Sequence, residues 1–286
     1  MKARNFRYVR PASLAEAVGV LRDSGPEAVV MAGGQSLLAA LNMRMSAPSL
    51  VVDIGDLPEL HGVEEKDGVL RIGSATPHAE ILRNSLVRRR IPLMCEACEH
   101  IAHVAIRNRG TIGGSLAYAD PAAEWPAVMV TLQATFVLAS AEGERVLAAQ
   151  DFFVGLLETA LRAGEIITRI DVPIPADGVA TAFGELARRH GDFALAGLVA
   201  TMRLDNGRLV SPRLTYFGCT DHARPARATS HALEGAAWPL VDDALFASSL
   251  SADLDLTDAP GLRADTRLQM ARALTRRVVN SLARPA

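Results

Sequence analysis

Ala28-Val29-Val30-Met31-Ala32-Gly33-Gly34-Gln35-Ser36 is a short apolar run that ends in two glycines, an amide and a hydroxyl. A brief apolar run closed by a turn signal reads as a buried strand, and the residues after it, 37–45, read as helix. Upstream, Ser13-Leu14-Ala15-Glu16 is a capping box, and Gly25-Pro26 stops the helix it opens. Downstream, residues 50–54 form a second apolar run of strand character. The result is a β-α-β-type opening with its first glycine turn at the C-terminal end of a strand, where α/β units place their ligands.

The same local grammar recurs at Thr111-Ile112-Gly113-Gly114-Ser115. Glycine allows left-handed backbone angles and close approach of a ligand to the main chain. Successive N–H groups in such a turn make an anion-binding concavity. One such turn suits one phosphate, and two that converge suit a pyrophosphate, hence a dinucleotide. Taken singly, a glycine pair usually does no more than turn the chain. Neither pair fits the three-glycine dinucleotide fingerprint or the nucleotide loop that ends in Gly-Lys-Ser/Thr.

Composition narrows the field. The chain has 286 residues, enough for two domains, with 49% hydrophobic and 22% charged residues. A formal net charge of −2 gives no drive toward nucleic acid. The densest basic run, Val87-Arg88-Arg89-Arg90, reads as a solvated helix end. Three cysteines, Cys95, Cys98 and Cys219, make no disulfide framework and argue for a reducing, cytoplasmic setting. Cys95 and Cys98 fall within a helical pattern and have no second Cys-x-x-Cys to complete a metal site. The N-terminal residues 1–6 are basic without an apolar run behind them, so no secretory signal is expected. Residues 125–141 carry no charge, yet they change from helix-like to strand-like midway, so a buried helix and strand are expected rather than a membrane span.

Further along, residues 69–73 read as strand, Thr76-Pro77 opens a helix, and Pro92 precedes another that ends near Arg107. Residues 122–132 read as helix, 135–139 as strand, 145–147 as the return of a hairpin, and 165–173 as strand. Pro173-Ile174-Pro175-Ala176-Asp177-Gly178 reads as a linker, which sets the expected boundary between domains 1–176 and 177–286. Beyond it, Asp205-Asn206-Gly207-Arg208 between apolar runs is the strongest hairpin signal in the chain. Residues 264–282 form an arginine-rich amphipathic helix, with Leu268, Ala271, Leu274, Val278 and Leu282 on one face. An antiparallel sheet with helices on one side is therefore expected after the linker.

Few residues suggest chemistry of their own. Asp120, in Tyr118-Ala119-Asp120-Pro121, is placed either to accept hydrogen bonds from sugar hydroxyls or to cap the helix that follows. The seven histidines are scattered, and no nucleophile-and-base arrangement stands out. Hydrolytic machinery is not visible, whereas a bound redox cofactor brings its own reactivity. Arg188-Arg189-His190-Gly191-Asp192-Phe193 reads as a polar turn between strands or as a wall, through Phe193, for a planar ring.

Five segments together carry a resemblance. They are Ala32 to Ser36; Ile106-Arg107-Asn108-Arg109-Gly110-Thr111-Ile112-Gly113-Gly114-Ser115; Ala119-Asp120-Pro121-Ala122-Ala123-Glu124; Gly164-Glu165-Ile166-Ile167; and Arg188 to Ala194. In them the chain resembles, over nearly its whole length, the flavin-binding medium subunit of the molybdenum hydroxylases, the group of the carbon monoxide, nicotine, quinoline and xanthine dehydrogenases. The resemblance implies an α+β chain: a PCMH-type FAD-binding domain of two α/β subdomains, about 1–56 and 57–176, then the C-terminal antiparallel sheet with helices. It implies FAD in extended form. Ala32, Gly33, Gly34, Gln35 and Ser36 with Thr111, Gly113, Gly114 and Ser115 would hold the diphosphate, and Asp120 would bind cofactor hydroxyls. Ile101 and Ile167 would line the cofactor, and Phe193 would stand where the family places an aromatic residue against the flavin.

Two departures accompany it: Glu185 stands where the family often has lysine, and Ser115 where it often has asparagine. The implied function is electron transfer. A large molybdenum-cofactor subunit and a small [2Fe–2S] subunit would be the partners, as a dimer of heterotrimers. This chain's FAD would pass their electrons to an external acceptor, with no catalytic side chain and no metal of its own. A free-standing flavin-dependent oxidoreductase of the same cofactor-binding fold is the alternative.

Overall fold

The computed structural model describes residues 2–258 and 262–282. Three strands open the chain: β1 (Arg7–Val9), β2 (Ala28–Met31) and β3 (Leu50–Asp53). They lie parallel in the order β1-β3-β2, with Val30 opposite Val52. Helix α1 (Leu14–Ser24) connects β1 to β2. Ser13 caps it as expected, its Oγ accepting from the Glu16 amide at 3.2 Å, while the Glu16 carboxylate reaches one residue beyond the N-cap, to the Ala12 amide at 2.7 Å. Ala17 and Leu21 pack with Leu50 and Val52 in a small core of their own. After β2 the glycine turn leads into α2 (Leu37–Asn42). That helix stops short of the expected 45 because Arg44 takes a left-handed φ of 60°.

A hairpin of β4 (Val63–Lys66) and β5 (Val69–Gly73) comes next. Six short helices follow: α3 (His78–Arg83), α4 (Ser85–Arg90), α5 (Pro92–His100), α6 (Val104–Arg107), α7 (Ile112–Tyr118) and α8 (Glu124–Thr131). The single helix expected over 92–107 is broken. Ala102 adopts φ 42°, and the Arg107 guanidinium donates to the Ile101 and Ala102 carbonyls at 2.8 and 2.9 Å, satisfying acceptors that a continuous helix would have used.

The chain then forms the hairpin β6 (Thr135–Ser140) and β7 (Gly143–Ala148), α9 (Ala149–Phe152), and the short pair β8 (Phe153–Gly155) and β9 (Glu158–Thr159). It returns through β10 (Ile166–Pro173) to the centre of an antiparallel sheet ordered β4-β5-β10-β6-β7. The helices pack on this sheet around Trp125, Phe136 and Phe152.

β11 (Val179–Leu186), β12 (Ala196–Asp205) and β13 (Arg208–Phe217) make a three-stranded antiparallel sheet. The expected turn is present: Asp205 pairs with Arg208, while Asn206 and Gly207 take φ of 47° and 72°. After β13 come α10 (Arg227–Leu233), α11 (Ala247–Asp253) and α12 (Ala264–Ser281). α12 lies on one face of the sheet, so close that a Cβ at Gly184 would stand 2.5 Å from Val278. α8 lies against β12 and β13 as well as α5. Its residues are all buried, as a helix that is apolar nearly all round requires.

Candidate functional site

The two glycine segments meet. A Cβ at Gly33 would lie 2.0 Å from the Arg109 carbonyl oxygen and 2.9 Å from the Gly110 Cα, so the first turn rests directly on the chain that enters the second. A Cβ at Gly114 would come within 3.9 Å of Ala32. Gly34 has φ 72°, a conformation that favours glycine.

The first segment keeps its donors open. The backbone N–H groups of Gly33, Gly34, Gln35 and Ser36 donate to no acceptor among the described residues. The Gln35 side chain is tied instead to the Gly33 carbonyl at 2.9 Å, which braces the turn. The Ser36 and Ser115 hydroxyls also make no hydrogen bond among the described residues. Four successive free amides flanked by hydroxyls, with no carboxylate within either glycine segment, fit the oxygens of a diphosphate.

The second segment differs from the open loop that its sequence suggests. Thr111 is the N-cap of α7, so Gly113 and Gly114 sit in a helical first turn. The Ile112 amide donates to the Thr76 carbonyl at 3.1 Å, the Gly113 amide to the Ser74 carbonyl at 2.8 Å, and the Gly114 amide to Thr111 Oγ1 at 3.1 Å. These glycines serve close packing: a Cβ at Gly113 would fall 2.5 Å from the Ser74 Cβ. What this segment offers a ligand is the Ser115 hydroxyl, the replaceable Thr111 contact and the electropositive end of a peptide stack.

Asp120 follows α7. Its Oδ1 accepts from the Ala122 amide at 2.9 Å, while no partner among the described residues engages Oδ2. Burial holds its carboxyl above the ordinary range, against the pull of that amide. One oxygen therefore shapes the turn and the other remains an acceptor. Ile101 and Ile167 are both buried in the large core. Phe193 is 68% exposed, and its loop rests on the turn after α5: a Cβ at Gly191 would lie 2.7 Å from the Ala102 carbonyl oxygen.

Several residues with no sequence signal of their own surround these. His78 is buried; its Nδ1 accepts from Trp125 Nε1 at 3.0 Å, and burial, aided by the Arg107 charge, lowers its pKa to about 3. A Cβ at Gly110 would stand 2.9 Å from His78 Nε2, so a neutral imidazole backs the second segment. Ser74 Oγ, also behind it, is buried without a partner. Glu124 is pushed up to about 8 by burial, with the charges of Glu185 and Asp120 adding to the effect. Nothing local in the sequence marks these positions, because their environment is built by segments distant in the chain.

Comparison with known proteins gives a consistent answer along the chain. Residues 4–175 match the family described as the FAD-binding domain in molybdopterin dehydrogenase, and residues 181–282 match the CO dehydrogenase flavoprotein C-terminal domain. The chain is 38% identical to the caffeine dehydrogenase subunit beta of Pseudomonas sp. (strain CBB1), over 98% of this chain and 95% of that protein. The fold matches that of carbon monoxide dehydrogenase from Hydrogenophaga pseudoflava with a TM-score of 0.94 and 34% identity, covering 99% of this chain and 98% of that one. It matches quinoline 2-oxidoreductase from Pseudomonas putida 86 with a TM-score of 0.91 and 37% identity, over 99% and 98% of the two chains.

Proposed function

The chain belongs to the family of FAD-binding subunits of the molybdopterin dehydrogenases, and from that premise we propose that it is the electron-transfer member of a multisubunit oxidoreductase. The observation that carries the proposal is the contact between the two glycine segments, with four unengaged amides on one side and a helix start on the other.

In this reading the 33–36 amides and the Ser36 hydroxyl hold the diphosphate of FAD, with Ala32, Thr111, Gly113, Gly114 and Ser115 closing the other side. Asp120 accepts from cofactor hydroxyls through Oδ2. Ile101 and Ile167 line the cleft and exclude water from it, and Phe193 covers the flavin ring. FAD, when bound, supplies a centre that takes up and releases electrons. The protein's part is to bind it, orient it and set the charge around it.

Residues 1–176 form the FAD-binding domain, as subdomains of about 1–56 and 57–176, and 177–286 the C-terminal domain. The electrons arrive from the [2Fe–2S] clusters of a small partner, which receives them from a large subunit with the molybdenum cofactor, and they leave to an external acceptor. The three heterotypic subunits associate as a dimer of heterotrimers in the cytoplasm. The cysteine chemistry of the chain supports the need for an iron–sulfur partner. Cys95, Cys98 and Cys219 are all buried, and burial pushes Cys98 and Cys219 up to about 12, far from the thiolate that ligates iron. Among the described residues, no group of three or more histidine, cysteine or carboxylate side chains is arranged to hold a metal ion. No described helix is long and apolar enough to cross a membrane.

The test is co-expression with the neighbouring genes, followed by size-exclusion chromatography and anaerobic mixing with the organic substrate of the complex. The expected result is a flavin-containing complex whose flavin absorbance bleaches only when all three subunits are present. A chain that stays alone and turns over substrate unaided would contradict the proposal and favour a free-standing flavoenzyme.

A further inference from the structure

β11 alternates its side chains between two environments. Gly184 faces α12, whereas Phe183 and Glu185 face α5. The Glu185 side chain is only 2% exposed, and its Oε2 has no hydrogen-bond partner; among the described residues it is the one carboxylate oxygen in that condition. A buried carboxylate without a partner is costly, so the site is built around something that is only partly made. The nearest basic atom is Nδ1 of His100, the last residue of α5, at 3.6 Å. That is too long for a hydrogen bond but close enough for one proton to serve both groups after a small movement or through a water.

The His100 ring has two further neighbours. It lies 4.9 Å from the Phe183 ring and 5.6 Å from the His190 ring. His190 belongs to the loop 188–193, whose next residue, Gly191, rests on Ala102. The charged groups that face the pair are His190 from the loop, Glu99 from α5, and, acting on Glu185's neighbour Glu124 in α8, Asp120. Burial moves Glu185 upward, to about 7, and His100 downward, so near pH 7 the imidazole favours its neutral form while the carboxyl gains or loses its proton. The carboxylate thus connects α5, β11 and the loop that carries Phe193.

We propose that Glu185 and His100 are positioning residues: they share a proton across the seam between α5 and β11, and so hold the 188–193 loop, with Phe193 on it, in place for the flavin ring. This rests on the reading of Phe193 as the flavin's cover. When the pair gains its proton, His100 turns toward Glu185 and is held; when the proton leaves, the ring is released and His190 loses a fixed platform. The pair touches no reacting atom in this account. It acts through the loop.

Two measurements on the full chain test it. In the FAD-free protein, histidine side chains are followed by NMR from pH 5 to 9 in wild type, Glu185→Gln and His100→Gln. The expected result is that the His100 ring signals of the wild type report the single proton of the pair as a step between pH 6 and 8, and that Glu185→Gln removes or displaces that step, since the proton belongs to the pair and not to either residue. Second, FAD affinity is measured across the same range. The wild type is expected to change affinity between pH 6 and 8, by up to about tenfold per unit where one proton is linked to binding, and both variants to give a flattened profile. An unchanged His100 step in Glu185→Gln overturns the shared proton. A wild-type affinity profile retained in both variants overturns the positioning role. Failure of the wild type to bind FAD at all overturns the flavin reading itself, and the positioning role with it, while leaving the NMR result to decide the pair.

Discussion

Gly33→Ala perturbs the contact on which the site depends. The added methyl would lie 2.0 Å from the Arg109 carbonyl oxygen, 2.7 Å from its carbon and 2.9 Å from the Gly110 Cα, whereas ordinary contact begins near 3.4 Å. All three neighbours are main chain, so no side chain can swing away. The two segments must part by more than an ångström. Overpacking of this kind costs roughly 1–3 kcal/mol. The diphosphate bridges the same two segments, so the part of this cost that the free chain escapes by letting them separate is met on binding instead. At about 1.4 kcal/mol per factor of ten, FAD affinity should fall by up to about a hundredfold, and any part not lost in affinity should appear as a lower melting temperature. The assay is titration of the FAD-free chain by quenching of flavin fluorescence, with calorimetric melting on the same samples. Gly19→Ala is the control: it lies in α1, and a Cβ there meets nothing within 4 Å. It should leave affinity unchanged and raise stability by up to about 1 kcal/mol. A Gly33→Ala protein that melts like the wild type and binds FAD as tightly would refute the reasoning.

Phe193→Ala should leave the melting temperature of the FAD-free chain nearly unchanged, because the side chain is mostly exposed, and should weaken FAD binding several-fold through loss of about 0.5–1.5 kcal/mol of stacking; equal affinity by fluorescence titration would remove Phe193 from the site. His78 has a folded pKa of about 3 against an ordinary 6.5. The unfolded chain therefore takes up a proton in that window that the folded chain refuses, and stability declines as pH falls from 6.5 toward 3 by up to about 1.4 kcal/mol per unit. Urea unfolding of His78→Gln should show a slope smaller by about one proton. Glu124 behaves in the opposite sense. Between 4.5 and about 8 the folded chain keeps a proton that the unfolded chain has lost, so stability declines as pH rises through that window. Glu124→Gln should gain on the wild type progressively from pH 5 to pH 8, and a constant difference between the two would contradict a buried, protonated carboxyl.

The parts of the molecule that were legible in the sequence are those whose cause is local. The Ser13 cap of α1, the Asn206–Gly207 turn and the apolar stripe of α12 each declare themselves within a few residues, and each formed. The end of α5 did not, because it is set by Arg107 reaching back to the 101–102 carbonyls and by a left-handed Ala102, a tertiary arrangement with no periodic signature. β1 escaped notice because three residues, Arg7–Val9, are too few to show alternation. The engagement of the Ile112 and Gly113 amides by Thr76 and Ser74 was invisible for the same reason as the contact between Gly33 and Arg109: both depend on segments far apart in the chain. The placing of His100 against Glu185 of β11 was not legible either, because it joins α5 to a strand about 85 residues further along the chain.

The most direct measurement is a crystal structure of the chain with FAD bound. The diphosphate oxygens are expected about 2.7–3.2 Å from amides of residues 33–36, with Gly114 and Ser115 across from them. A flavin whose diphosphate sits elsewhere, leaving the 33–36 amides facing solvent, would contradict the proposed site.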